Sequence, residues 1–123
     1  MECWILTQDL LFGSQCQSAV QAAGFACATA PSLAQIAAKA DPFYFVVIDL
    51  SLPRLDIGAA VRELRESSTP PARVLAVGPH VHTGRLEAAR EANCDRVLSK
   101  GEASQQLANI LSELELQPPS KPE

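Results

Sequence analysis

Six apolar residues follow one another without a break at Phe43-Tyr44-Phe45-Val46-Val47-Ile48, and the run stops at a carboxylate, Asp49. Aromatic and β-branched side chains in unbroken succession describe a strand covered on both faces. Such strands lie inside parallel sheets, where crossover helices cover both sides. Asp49 therefore falls where the strand leaves the sheet, and open α/β folds place their chemistry outside the carboxyl ends of their strands. Leu50-Ser51-Leu52 then lead to Pro53, which has no N–H and closes the segment.

The flanking sequence supplies the neighbours of that strand. Cys3 to Leu6 reads as a first strand that exits at Thr7-Gln8-Asp9, and Phe12, Cys16, Ala19, Val20 and Ala23 recur behind it at helical spacing. Gly24 ends this helix with a left-handed cap. Phe25 to Ala28 gives a brief second strand, and Pro31 opens a second helix with Leu33, Ile36 and Ala37 inward. Beyond the central strand, Asp56 caps a third helix with Ala60, Val61 and Leu64 facing the core, and Ser67-Ser68-Thr69-Pro70-Pro71 breaks it. Arg73-Val74-Leu75-Ala76-Val77 is a fourth strand ending at Gly78-Pro79. Thr83 caps an alanine-rich fourth helix that Asn93 stops. Arg96-Val97-Leu98 forms a fifth strand leaving at Ser99-Lys100-Gly101, and Leu107, Ile110, Leu111 and Leu114 stripe the last helix. Five alternations of strand and helix imply a parallel sheet with right-handed crossovers. The expectation is one domain over residues 1–116 and a disordered, proline-containing tail over 117–123.

Composition narrows the function classes. A chain of 123 residues, 47% apolar and 20% charged, has enough material for one hydrophobic core. Its net charge of −4 and lack of a basic cluster argue against a nucleic-acid surface. No signal peptide is legible at the N-terminus, and no apolar run nears the ~20 residues that span a bilayer. Cys3, Cys16, Cys27 and Cys94 form no CxxC pair; they read as small buried hydrophobes in a reduced, cytoplasmic setting. Trp4, Phe43, Tyr44 and Phe45 read as packing groups. His80-Val81-His82 invites a metal reading, yet two loop histidines without a completing ligand are a solvated pair by default. His80 has one further option: with no side chain at Gly78, it has room to reach toward Asp49.

Asp49-Leu50-Ser51-Leu52-Pro53 at the end of the third strand resembles the phospho-acceptor segment of response-regulator receiver domains, and Leu98-Ser99-Lys100 is similar to that family's lysine segment. The resemblance covers the chain up to the last helix, in order and in spacing. It implies a flavodoxin-like (βα)5 three-layer sandwich, α/β in class, with a five-stranded parallel sheet of order 2-1-3-4-5 and helices on both faces. It implies Asp49 as phospho-acceptor and Lys100 as its cationic partner. An acidic pair after the first strand would hold Mg²⁺ with Asp49; here that pair falls on Thr7-Gln8 or Gln8-Asp9, which leaves Asp9 and Asp49 as the weak metal candidates. The family's switch positions fall on Gly78 and Val97, which offer neither the hydroxyl nor the aromatic that couples phosphorylation to a changed surface. The loop glycine is displaced to Gly58, behind Asp56 and Ile57, and Gly101 follows Lys100 where proline is usual. The pattern is that of an atypical or pseudo-receiver.

The resemblance implies a stand-alone signalling domain in a phosphorelay that acts by protein–protein contact and is not an enzyme. Its partner, such as a histidine kinase or a downstream output protein, would use the mixed-charge surface from Thr83 to Leu116, with Arg85, Glu87, Arg90, Glu91, Arg96 and Glu113. The alternative is a module that binds its partner without phosphorylation, Asp49 and Lys100 merely tying two loops together. Asp9 has a bland reading too, as a carboxylate at the positive end of the first helix. A flavodoxin-like cofactor protein is disfavoured, because Thr7-Gln8-Asp9-Leu10-Leu11-Phe12 carries a carboxylate and bulky apolar groups where a phosphate nest would lie. No hydrolase elbow, Cys-His pairing or Gly-rich phosphate loop is present.

Overall fold

The computed structural model describes residues 2–39, 44–68 and 70–116, with side-chain environments for 2–36, 45–68 and 70–113. Phe43, the side chains of Ala37, Tyr44 and Leu114, and the tail from Gln117 lie outside these descriptions. The chain runs β1 (Glu2–Leu6), α1 (Leu10–Ala22), β2 (Ala26–Ala30), α2 (Leu33–Lys39), β3 (Tyr44–Asp49), α3 (Ile57–Arg65), β4 (Arg73–Gly78), α4 (Thr83–Glu91), β5 (Arg96–Ser99) and α5 (Lys100–Leu116). All strand pairings are parallel and the sheet order is β2-β1-β3-β4-β5. This is the flavodoxin-like arrangement expected from the sequence.

Strand pleat divides the core in two. Cys3 and Ile5 of β1, Phe45 and Val47 of β3, and Leu75 and Val77 of β4 pack with Phe12, Cys16 and Val20 of α1 and Leu107, Ile110 and Leu111 of α5. Their alternates, Trp4, Leu6, Val46, Ile48, Val74 and Ala76, meet Ile36, Ile57, Val61, Leu64, Leu86 and Ala89 on the opposite face. A period of two on each strand thus loads both faces, which is why these strands read as unbroken apolar runs. Trp4 is buried, in keeping with a packing role.

Local chemistry explains most of the element ends. Asp56 accepts a hydrogen bond from Ala59 N at 3.1 Å and caps α3, and Asn93 takes the left-handed conformation (φ 65°) after α4. Several boundaries differ from the sequence reading, and β2 runs over Ala26–Ala30 rather than Phe25 to Ala28. α2 starts at Leu33 rather than Pro31. Thr83 is the first helical residue of α4, and His82 holds the cap position without a side-chain bond. β5 passes straight into α5 with no intervening loop, because Ser99 and Glu102 satisfy each other's backbone N–H groups (2.9 and 3.1 Å) as a capping box. Cys27 and Cys94 are half-buried rather than core residues.

Candidate functional site

Asp49 ends β3 at the centre of the sheet's carboxyl edge, in register with Val77 of β4. Only 2% of it is exposed. A buried carboxylate needs hydrogen-bond donors to offset lost hydration, and two short contacts provide them. The Thr7 hydroxyl donates to Oδ2 at 2.7 Å, and Ser51 N–H donates to Oδ1 at 2.8 Å. The geometry follows from the pleat: Leu6 pairs with Ile48, so the next residues, Thr7 and Asp49, lie side by side on the α1/α5 face. The Ser51 contact is the two-residue aspartate turn that such side chains form with their own backbone.

Thr7 does more than donate. Its oxygen also accepts Asp9 N–H at 3.0 Å, and the Asp9 carboxylate accepts Phe12 N–H at 3.0 Å. Asp9 is therefore the N-cap of α1, exposed and turned to its own helix. One continuous chain of hydrogen bonds runs from Asp49 through Thr7 to the start of α1.

Lys100 reaches the same edge from a different element. As the first residue of α5, it sets its Nζ over the Phe12 ring, 4.8 Å from the centroid. A cation near a helix N-terminus opposes the helix dipole, and the aromatic face offers a compensating attraction. Among the described residues ion pairs join Arg65 to Asp95, Arg90 to Glu87 and Arg96 to Glu113, and none joins Asp49 to Lys100. Both fields nevertheless reach Cys16, between α1 and the sheet. Burial pushes this thiol up to about 12, Cys27 and Asp49 add to the rise, and Lys100 opposes it. A groove of about 520 Å³ between α1 and α5 is lined by Asp9, Phe12, Cys16 and Lys100, and Asp49 is not in its wall.

The switch positions are occupied in their own way. A Cβ at Gly78 would stand 3.0 Å from Leu50 Cβ and 3.2 Å from its Cδ1. Leu50 is 1% exposed, its N–H donates to Val77 O at 2.8 Å, and its carbonyl accepts from the Arg85 guanidinium of α4. The absent hydroxyl at Gly78 thus reflects a space already filled by Leu50. Val97 is half-buried on the same face as Leu50. His80 and His82 are exposed, so His80 does not reach Asp49. Among the described residues no three His, Cys, Asp or Glu side chains cluster as a metal site. The left-handed turn of the β3–α3 loop falls on Arg54 (φ 60°), while Gly58 lies inside α3.

Sequence reasoning placed Asp49, Asp9 and Lys100 at one edge, and the structure brings all three there. It missed Thr7, Leu50 and Arg85. Thr7 had a legible signal: a hydroxyl one residue past an apolar strand, on the pleat parity of Cys3 and Ile5. The Ser99-Lys100-Gly101-Glu102 spacing was an equally legible capping signature. Arg85 had none.

No family model matches the sequence, and no curated protein does. Solved structures match the fold closely. A signal receiver domain of a response regulator from Bermanella marisrubri superposes with a TM-score of 0.78 at 18% identity, covering 93% of this chain and 97% of that one. The receiver domain of a sensor histidine kinase from Pseudomonas aeruginosa, with magnesium coordinated in its active-site cleft, gives 0.75 at 20% identity over 92% and 95%. An atypical orphan response regulator described with a phosphorylation-independent regulatory mechanism gives 0.67 at 14% identity over 98% and 100%. The chain has the fold of a response-regulator receiver domain.

Proposed function

We propose that this chain is a receiver-fold signalling module that engages a protein partner without phosphorylation of Asp49. The observation that carries this reading is the Thr7 hydroxyl on Asp49 Oδ2 at 2.7 Å, inside a site where Asp49 is 2% exposed. A phospho-acceptor must present an oxygen in line with an incoming phosphoryl group and gather positive charge around it. Here Thr7 and Ser51 each donate to one of the two oxygens, Asp9 caps a helix and Lys100 leans on an aromatic ring. Mg²⁺ would need Asp9 and Asp49 together with waters, and neither carboxylate is free of a local donor. This donor set does not fit a resident metal.

The readout side favours the same reading. A covalent mark shifts a conformational equilibrium only through contacts that differ between the two states. With Leu50 packed against Gly78 and tied to α4 through Arg85, no hydroxyl stands ready to follow a phosphoryl group. The partner surface best suited to this module is the α4–β5–α5 face. Its charges include two paired sets, Arg90 with Glu87 at 3.2 Å and Arg96 with Glu113 at 3.1 Å, which favours short-range complementarity over long-range steering.

Incubating the full chain with an acyl phosphate and Mg²⁺, then weighing it intact, tests this directly. The expected result is no added phosphoryl mass. A phosphoryl group that appears on the wild type and vanishes in Asp49→Asn would overturn the reading and restore Asp49 as acceptor with Asp9 as its metal partner.

A further inference from the structure

We propose that Cys27 and Cys3 form a peroxide-sensitive thiol pair, in which Cys27 is the oxidised thiol and Cys3 resolves it as an intramolecular disulfide. The two residues are directly paired across the parallel β1–β2 ladder. Adjacent strands lie about 4.8 Å apart, inside the Cα separation that a disulfide spans. Both side chains lie on the α1/α5 face, Cys3 within that core cluster and Cys27 packed against it. Each thiol is close enough to the other to shift its acidity. Register and shared face thus place the two sulfurs as neighbours.

The two thiols are unequal, as an attacking and a resolving thiol should be. Cys3 is 0% exposed. Cys27 is half-buried on β2, the sheet's edge strand, where a small oxidant can reach it. The neighbouring Cys3 thiol holds the Cys27 thiol below its ordinary range against the opposing effect of burial, while the Cys27 thiol and full burial push Cys3 well up. The thiolate is the reactive form, and of the two only Cys27 is open to an oxidant, so Cys27 reacts first. Gln17 Nε2, from α1, donates to the Cys27 carbonyl at 3.3 Å and fastens this position.

The chemistry balances with a peroxide as oxidant. The Cys27 thiolate attacks one peroxide oxygen; an S–O bond forms, the O–O bond breaks, and the departing hydroxide takes a proton to become water. Cys3 sulfur then attacks the Cys27 sulfenic acid; an S–S bond forms, the S–O bond breaks, and the leaving hydroxide takes the Cys3 proton as a second water. Two thiols lose two electrons and one peroxide gains them.

The test treats the folded full chain with hydrogen peroxide, blocks remaining thiols with an alkylating reagent after denaturation, and maps the peptides by mass spectrometry. The expected product has lost two hydrogens, joins the Cys3 and Cys27 peptides, leaves Cys16 and Cys94 alkylated, and reverts with a dithiol reductant. In Cys3→Ser, Cys27 should stop at the sulfenic acid and take a dimedone-type trap. In Cys27→Ser, which alters a half-buried position, circular dichroism should stay native and Cys3 should remain reduced. Retention of four alkylatable thiols in the wild type, a link through Cys16 instead, or a Cys3–Cys27 link only after unfolding would each overturn the proposal.

Discussion

Asp49 and Lys100 stand at the same edge of one sheet, yet they are held by opposite means. Asp49 is enclosed, with two donors on its carboxylate and Leu50 sealing the adjoining space at Gly78. Lys100 is half-exposed at a helix start and leans on the Phe12 ring. In the receiver reading both groups act on one phosphoryl group. In this chain each is satisfied locally. Two residue types that match a receiver site can stand at one edge without acting on each other, and burial is what separates the two cases: an enclosed carboxylate cannot go without partners, whereas a half-exposed ammonium can.

Breaking the enclosed side should cost most. Leu50→Ala removes a fully buried side chain beside Gly78 and should lower unfolding free energy by about 2–5 kcal/mol in a urea titration. Thr7→Val keeps the shape but takes a donor from Asp49 and an acceptor from Asp9 N–H; about 1–3 kcal/mol should be lost in the same titration. Turning to the lysine side, Ser99→Ala dismantles one arm of the capping box and should cost about 1 kcal/mol. Lys100→Met should move stability least, within about 0.5 kcal/mol, because losing the ring contact is offset by relieving a cation at a helix N-terminus. A Lys100 effect as large as that of Thr7 would erase the contrast between the two sides.

The strands, the helices and the acid at the end of β3 were legible because two-faced burial and element alternation leave direct marks on sequence, whereas the sheet order and the lysine came from the resemblance to receiver domains. Residues 45–48 read as a two-faced interior strand and form one. What escaped were the contacts made between elements. Thr7 becomes a partner of Asp49 only once β1 and β3 are known to be neighbours in register. The Leu50–Gly78 contact needs β3 beside β4, and Arg85 reaches the Leu50 carbonyl across a distance in sequence that no local pattern encodes. Asp9 shows the reverse problem. Its type fitted two roles, metal ligand and helix cap, and the Phe12 N–H bond shows the cap made.

Two double-mutant cycles on chemical denaturation pit the competing partners of Asp49 against each other, one pairing Thr7→Val with Asp49→Asn and the other pairing Lys100→Met with Asp49→Asn. We expect a coupling of about 1–3 kcal/mol between positions 7 and 49, and additivity within about 0.5 kcal/mol between 49 and 100. The opposite pattern, strong coupling of Lys100 with Asp49 and none with Thr7, would mean that the acid and the lysine still work as one site.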